Sequence, residues 1–159
     1  MKTYPNIKGI STNLFFYDHN YEENTNDMMQ SHYNLDEAKF VVRFACYLLQ
    51  HSYLPERITI LTLYSGQLMQ IRSLMRGNEV FKDRFDKVRV VSVDNYQGEE
   101  NDIILLSLVR SNHSNQIGFL KISNRVCVAL SRARHGLFIF GNSKCLLGSQ
   151  SKLWQDVVS

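Results

Sequence analysis

Val90-Val91-Ser92-Val93-Asp94-Asn95-Tyr96-Gln97-Gly98-Glu99-Glu100-Asn101-Asp102-Ile103-Ile104-Leu105-Leu106-Ser107 sets two apolar runs of strand length on either side of a polar turn with a Gln-Gly-x-Glu core. Near-continuous apolar strands belong to a sheet buried on both faces, so this stretch predicts a covered, mostly parallel sheet with a nucleotide or nucleic-acid site between strands. Downstream, Asn124-Arg125-Val126-Cys127-Val128-Ala129-Leu130-Ser131-Arg132-Ala133-Arg134 carries an apolar helical pattern. That pattern predicts one helix with Arg125, Arg132 and Arg134 near one another around its polar side. Arginines fixed on a rigid element suit a phosphate target.

Outward from this centre, strand and helix patterns alternate. Asn13 to Asp18 reads as a buried strand, and the polar stretch His19 to Tyr33 as a surface excursion. Asn34-Leu35-Asp36-Glu37 has capping-box form, and Phe40, Val41, Phe44, Ala45, Leu48 and Leu49 recur at helical spacing, predicting a helix from about Leu35 to Gln50. After Pro55 come a strand at Ile58 to Thr62, a turn at Ser65-Gly66, and a second helix marked by Leu68, Ile71, Leu74 and Met75. Strands are expected at Val88 to Val93, Asp102 to Leu108 and Gly136 to Phe140, with a tail helix around Leu153-Trp154. Such alternation predicts an α/β fold of three layers, helices on both faces of the sheet. In sheets of this kind ligands sit beyond the carboxyl ends of the strands. Thr62-Leu63-Tyr64-Ser65-Gly66-Gln67 follows one such end, and Ser92-Val93-Asp94 through Gly98 another. Hydroxyl side chains and backbone amides there can hold phosphates, and Tyr64 offers a stacking or hydrogen-bonding group. The bland reading of Tyr64 and Gln67 is loop packing, and carboxylates such as Asp94 and Asp102 beside tight turns often bond local backbone amides.

At 159 residues the chain fits one domain, and its net charge of +3 is too mild to announce nucleic acid. The segment Arg76 to Arg89 sets Arg76, Lys82, Arg84, Lys87 and Arg89 against Glu79, Asp83 and Asp86, mixed signs that favour a solvated loop over a basic rim. Cys46, Cys127 and Cys145 are scattered in apolar segments, as expected of reduced thiols in an intracellular protein. With no Cys-x-x-Cys pair and no ligand spacing among the histidines, no metal site is expected. The start lacks signal-peptide form, and apolar runs such as Ile103 to Leu106 fall far short of the roughly 20 residues needed to span a bilayer. A soluble segment is expected.

The two quoted stretches resemble motifs V and VI of superfamily 1 helicases of the Upf type. Tyr96 through Arg110, then Ile117-Gly118-Phe119-Leu120 and Ser131-Arg132-Ala133-Arg134, look most like the large helicases with NFX-type zinc fingers. The resemblance runs from about Asn13 to Trp154, with several motifs in the family's order. It implies that the whole chain is the second RecA-like domain of an ATP-dependent RNA helicase, a fragment of a larger protein. Thr62, Tyr64, Gln67, Ser92 and Asp94 are then expected to contact the translocated strand, single-stranded RNA with DNA as the alternative. Gly98 and Glu100 would serve the ATP side. Arg132, in the position of the family's Ser/Thr-Arg-Ala, would be the arginine finger, with Arg125 and Gln97 as further catalytic groups. No phosphate-cradling Gly-x-x-x-x-Gly-Lys-Ser/Thr loop occurs in the chain, so ATP and Mg²⁺ are expected to be held mainly by a first RecA-like domain, and this segment alone is expected to be inactive. A cytoplasmic location is implied, with the nucleus as the alternative. Two departures stand out: Leu35 occupies a place where many members have arginine, and Asn124-Arg125-Val126-Cys127 replaces a more usual Arg-Arg-x-Asn. The alternative function is a catalytically degenerate helicase domain acting as an RNA-binding scaffold; the rival fold is an unrelated doubly wound ligand-binding module.

Overall fold

The computed structural model describes residues 2–4, 13–26, 31–79, 87–96, 98–121, 123–150 and 152–158. Its centre is a six-stranded sheet in the order β1-β2-β8-β7-β5-β6, formed by β1 (Lys2–Tyr4), β2 (Asn13–Asp18), β5 (Ile58–Thr62), β6 (Arg89–Ser92), β7 (Asn101–Ser107) and β8 (Ala133–Gly141). Five of these strands run parallel, and β1 closes the β2 edge in the antiparallel sense. Within the polar excursion β3 (Asn24–Asn26) and β4 (Ser31–Tyr33) pair as a small antiparallel ribbon. The helices are α1 (Leu35–Gln50), α2 (Ser65–Arg76), α3 (Ser123–Leu130), α4 (Ser143–Gly148) and α5 (Lys152–Val158).

Strand alternation explains the layering. Ile58, Ile60, Ile103 and Leu105 point to the face covered by α1 and α2, where Val41, Ala45, Leu48, Ile71 and Met75 meet them. Leu61, Ile104, Leu106, Leu137 and Ile139 point the other way, against Val126, Ala129, Leu130, Leu146 and Trp154. Both faces are therefore apolar, and every residue of β5 is buried. Trp154 is fully buried and its indole N–H donates to Leu120 O at 2.9 Å, which seats α5 under the turn that precedes α3.

The cap of α1 departs from the sequence expectation in an informative way. Asn34 Oδ1 accepts the Glu37 N–H at 3.0 Å, as a capping box requires. The return bond is not made: the Asn34 N–H is taken by Gln67 Oε1 at 2.8 Å, and Glu37 Oε2 accepts from Val109 N at 2.7 Å. Glu37 is thus spent on a loop more than seventy residues away, and the cap becomes a junction between α1, α2 and the end of β7. At α2 the expected turn at Ser65-Gly66 is instead the first helical turn, begun after Tyr64.

Candidate functional site

Because β5 to β8 are parallel, their carboxyl ends share one edge and their amino ends the other, and the sequence-derived candidates divide between these edges. At the carboxyl edge Thr62 and Gln67 are fully buried and Tyr64 is nearly so. Gln67 turns inward, its amide donating to Asn34 O at 3.2 Å and Ser107 Oγ at 2.9 Å in addition to accepting from Asn34 N. Tyr64 donates to Ile117 O at 3.2 Å, and the Thr62 hydroxyl accepts weakly from Tyr64 N at 3.4 Å. Ser92 is half-buried, its hydroxyl accepting from Asn95 N at 3.4 Å, and Asp94 is exposed. Of the five residues expected to meet a nucleic-acid strand, these two present side chains at the surface.

Behind that edge lies a buried polar junction with no sequence-local signal. The loop after β7 passes through Val109 in the left-handed region, φ 72°, an uncommon conformation for a β-branched residue. Glu37 holds the Val109 amide and Asn34 Nδ2 donates to its carbonyl at 3.2 Å. Glu23 Oε1 accepts from Arg110 Nε at 3.1 Å, Ser111 N at 2.9 Å and Asn112 Nδ2 at 2.7 Å, fastening the excursion to the same loop. Burial opposes ionisation of Glu23, but hydrogen bonds from Asn112, Ser111 and Arg110 outweigh it and hold the carboxyl below its ordinary value. Glu37 goes the other way: burial pushes its carboxyl up, against the opposing pull of His19 and of the Val109 and Leu108 amides. His19 Nε2 lies 3.3 Å from Glu37 Oε1, near enough for electrostatic contact but off a hydrogen-bond direction. Its Nδ1 accepts the Tyr21 N–H at 3.1 Å.

The amino edge is different. The segment after β6 crosses the sheet face, pinned midway by buried Tyr96, whose hydroxyl lies 3.3 Å from Thr59 Oγ1. It delivers Gly98, Glu99 and Glu100 to the opposite edge from Ser92 and Asp94, so the expectation that Gly98 lies at a carboxyl strand end is corrected. Gly98 has φ 75°, with open space around it for a close-approaching group. Glu99 pairs with Arg89 at 2.9 Å and Glu100 with Arg134 at 3.3 Å. The expected arginine helix is also corrected. α3 ends at Leu130, Ser131 N and Arg132 N bond back to its last carbonyls, and Arg134 already lies in β8. Arg132 occupies the turn between them. Its Nε is buried without a hydrogen-bond partner, whereas Arg134 Nε donates to Asp102 at 2.8 Å. Asp102 therefore pairs with side chains from distant segments instead of the local backbone amides anticipated for it, and is shared by Arg57 at 3.4 Å and His135 at 3.5 Å.

Gln97 and half of the charged segment, residues 80–86, lie outside the described residues, as does the side chain of Arg125. Leu35 is half-buried and donates its amide to Asn24 Oδ1 at 3.1 Å; Cys127 is exposed on α3. Among the described residues no cluster of His, Cys, Asp and Glu is placed to hold a metal ion, and no helix is long and apolar enough to cross a membrane.

A five-strand parallel sheet wrapped by helices is the architecture of an AAA-type α/β domain, and residues 2–144 match the model of the AAA domain family. The chain belongs to that family, in the form found as the C-terminal part of Upf-type superfamily 1 helicases. It is 52% identical over 155 residues to the NFX1-type zinc finger-containing protein 1 of Homo sapiens, covering 98% of this chain and 8% of that protein. It is 44% identical over 159 residues to the helicase required for RNAi-mediated heterochromatin assembly 1 of Schizosaccharomyces pombe, covering 99% of this chain and 16% of that protein. Identity to the ATP-dependent helicase upf1 of the same yeast is 38% over 146 residues, 91% of this chain and 16% of the relative. The chain thus spans a small part of these relatives' length, and the helicase resemblance read from the sequence is borne out.

Proposed function

We propose that this chain is the second motor domain of an ATP-dependent RNA helicase, with its amino sheet edge serving the nucleotide and its carboxyl edge the nucleic-acid strand. The observation that carries the reading is Arg132. An arginine nitrogen buried without a partner is costly, and it is accounted for if an anion from outside the domain completes it. In the proposed closed state Arg132 reaches the terminal phosphate of ATP held by a first RecA-like domain and stabilises charge as the phosphoryl group departs. Arg134, Arg89 and Arg57 are engaged with carboxylates of their own domain and are poorer candidates. Gly98 offers open backbone beside Glu100, a fit for the nucleotide's sugar and phosphates, with Gln97 and Arg125 as further members of that side. Mg²⁺ is assigned to the first domain. On the opposite edge Ser92 and Asp94 meet the strand, while Thr62, Tyr64 and Gln67 shape that edge from behind.

The two edges are joined by one covalent route. Residues 93–100 run from Asp94 at the strand side to Glu100 at the nucleotide side, with Tyr96 anchored to β5 between them. Closure around ATP would pull on this crossover and so shift the strand-side turn, giving a physical link between hydrolysis and stepping.

RNA-stimulated ATP hydrolysis by the full-length protein tests the reading. Arg132→Ala is expected to lower turnover roughly 10³-fold with RNA affinity nearly unchanged. Native-level turnover in the variant would sink the finger assignment. A native protein with no RNA-stimulated turnover that still binds RNA would favour the scaffold function.

A further inference from the structure

The β7–β8 ladder slips by one residue beside Arg132. Asn101 pairs with Ala133, yet Ile103 pairs with Gly136, so the single residue Asp102 faces two residues, Arg134 and His135. That is a β-bulge on β8, a device that re-aims side chains and sharpens local twist. It begins two residues after the turn that carries Arg132. Both of its side chains reach Asp102, which is mostly buried, Arg134 Nε at 2.8 Å and His135 Nε2 at 3.5 Å, while Arg57 Nη1 meets the other oxygen at 3.4 Å and Arg134 Nη1 also pairs with Glu100 at 3.3 Å. The preceding residue holds the turn itself, Asn101 N donating to Arg132 O at 3.0 Å. Asn101 is fixed in turn by bonds from its side-chain amide to Glu56 O at 3.0 Å and Thr59 Oγ1 at 2.9 Å.

We infer that Asp102 is a positioning residue that aims Arg132, by holding the Arg134–His135 bulge that sets where the preceding turn leaves the sheet. This rests on the reading of Arg132 as the finger. The bulge alone does not fix its own twist, because Arg134 and His135 are solvent-facing and nothing apolar packs them into place among the described residues. The carboxylate supplies that constraint: one oxygen takes Arg134 from β8 and the other takes Arg57 from the turn that leads into β5, tying the bulge to the entry of a second strand. The partners of Asp102 are half or more exposed, so these ion pairs add little to global stability and the expected consequence of the clamp is geometric. A misplacement of about 1 Å in a group that must meet a reacting phosphate can cost on the order of 10²-fold in rate.

The test is steady-state, RNA-stimulated ATP hydrolysis by the full-length protein carrying Asp102→Asn, Arg132→Ala or both, with RNA affinity and thermal melting measured alongside. Asp102→Asn is expected to lower kcat about 10- to 100-fold, with KM for ATP and RNA affinity within about twofold of native and melting nearly unchanged. In the Arg132→Ala background it should cause no further loss, because there is no finger left to aim. Arg134→Gln removes the same clamp from the other side and should reproduce the loss without adding to it. Native kcat in Asp102→Asn and Arg134→Gln, while Arg132→Ala is crippled, overturns the aiming role and leaves the finger standing. A loss that multiplies onto that of Arg132→Ala also overturns it, since a structural defect would act in either background. Absent native turnover, or full turnover in Arg132→Ala, overturns the finger and the aiming role together.

Discussion

The two edges of one sheet carry the same kinds of residue and use them in opposite ways. At the carboxyl edge Asn34, Glu37, Gln67 and Ser107 are all fully buried and, apart from Glu37 Oε1, which faces His19, spend their polar groups on one another and on the β7 loop. At the amino edge Glu99, Glu100 and Arg134 stay exposed in ion pairs, and Arg132 keeps a buried nitrogen unmatched. Polar groups that satisfy each other internally specify and stiffen a structure; polar groups left incomplete are held ready for something from outside. Identical chemistry is thus framework at one end of a strand and, on the proposed function, machinery at the other.

Substitutions can break this contrast. At the amino edge the largest effect should be on rate: Arg132→Ala, expected to lower turnover roughly 10³-fold, should melt no lower than native because it removes an unsatisfied group. At the carboxyl edge the effect should be on stability. Gln67→Leu strands the Asn34 amide and the Ser107 hydroxyl in a dry site, and denaturant unfolding should show a loss of about 3 kcal/mol. Unaltered stability with collapsed RNA affinity would instead place Gln67 against the strand. Next in size is Gly118→Ala. Gly118 has φ 52°, and an added methyl would sit 2.3 Å from Arg110 Nη1 and 3.0 Å from the Tyr64 hydroxyl, both held in the junction. Left-handed strain together with that crowding should cost about 1–2 kcal/mol in the same unfolding experiment.

The smallest effects concern pH and have opposite signs at two glutamates. Glu37 is raised in the fold, so its contribution to stability is present below its unfolded value and is lost as pH rises through its folded value. Glu23 is lowered, so its contribution is present above its unfolded value and is lost as pH falls through its folded one. Melting temperature followed across pH should therefore decline less on the alkaline side in Glu37→Gln, and less on the acid side in Glu23→Gln, each against the native curve. Identical curves for the two variants would contradict the assigned directions.

Elements with a local signal were legible in the sequence, and those set by distant partners were not. α1 spans Leu35 to Gln50 as its cap and apolar spacing predict, and β2 and β5 also match, β5 because burial on both faces leaves an uninterrupted apolar run and β2 because its centre is a compact run of Leu14, Phe15, Phe16 and Tyr17. The arginine helix was misread for a physical reason. Val126, Ala129, Leu130 and Ala133 all enter the same core cluster at helix-like spacing, yet Ala133 reaches it from a strand, so periodicity alone conceals the break at Ser131. The inward turn of Gln67 and the fastening of Glu23 depend on residues 33 and 88 positions away, which no window of sequence contains. For the site, residue identity was legible and edge was not: Gly98 and Glu100 follow closely on Asp94, but the crossover carries them to the far side of the sheet.

Trp154 is the chain's single tryptophan, and its indole is sealed under the Leu120 turn that leads into α3. Its emission therefore comes from one known place, a dry contact on the covalent path to Arg132. A blue emission maximum, shifting to the red only when α5 lifts away, would make this residue a built-in optical gauge of whether the helix leading to Arg132 is seated.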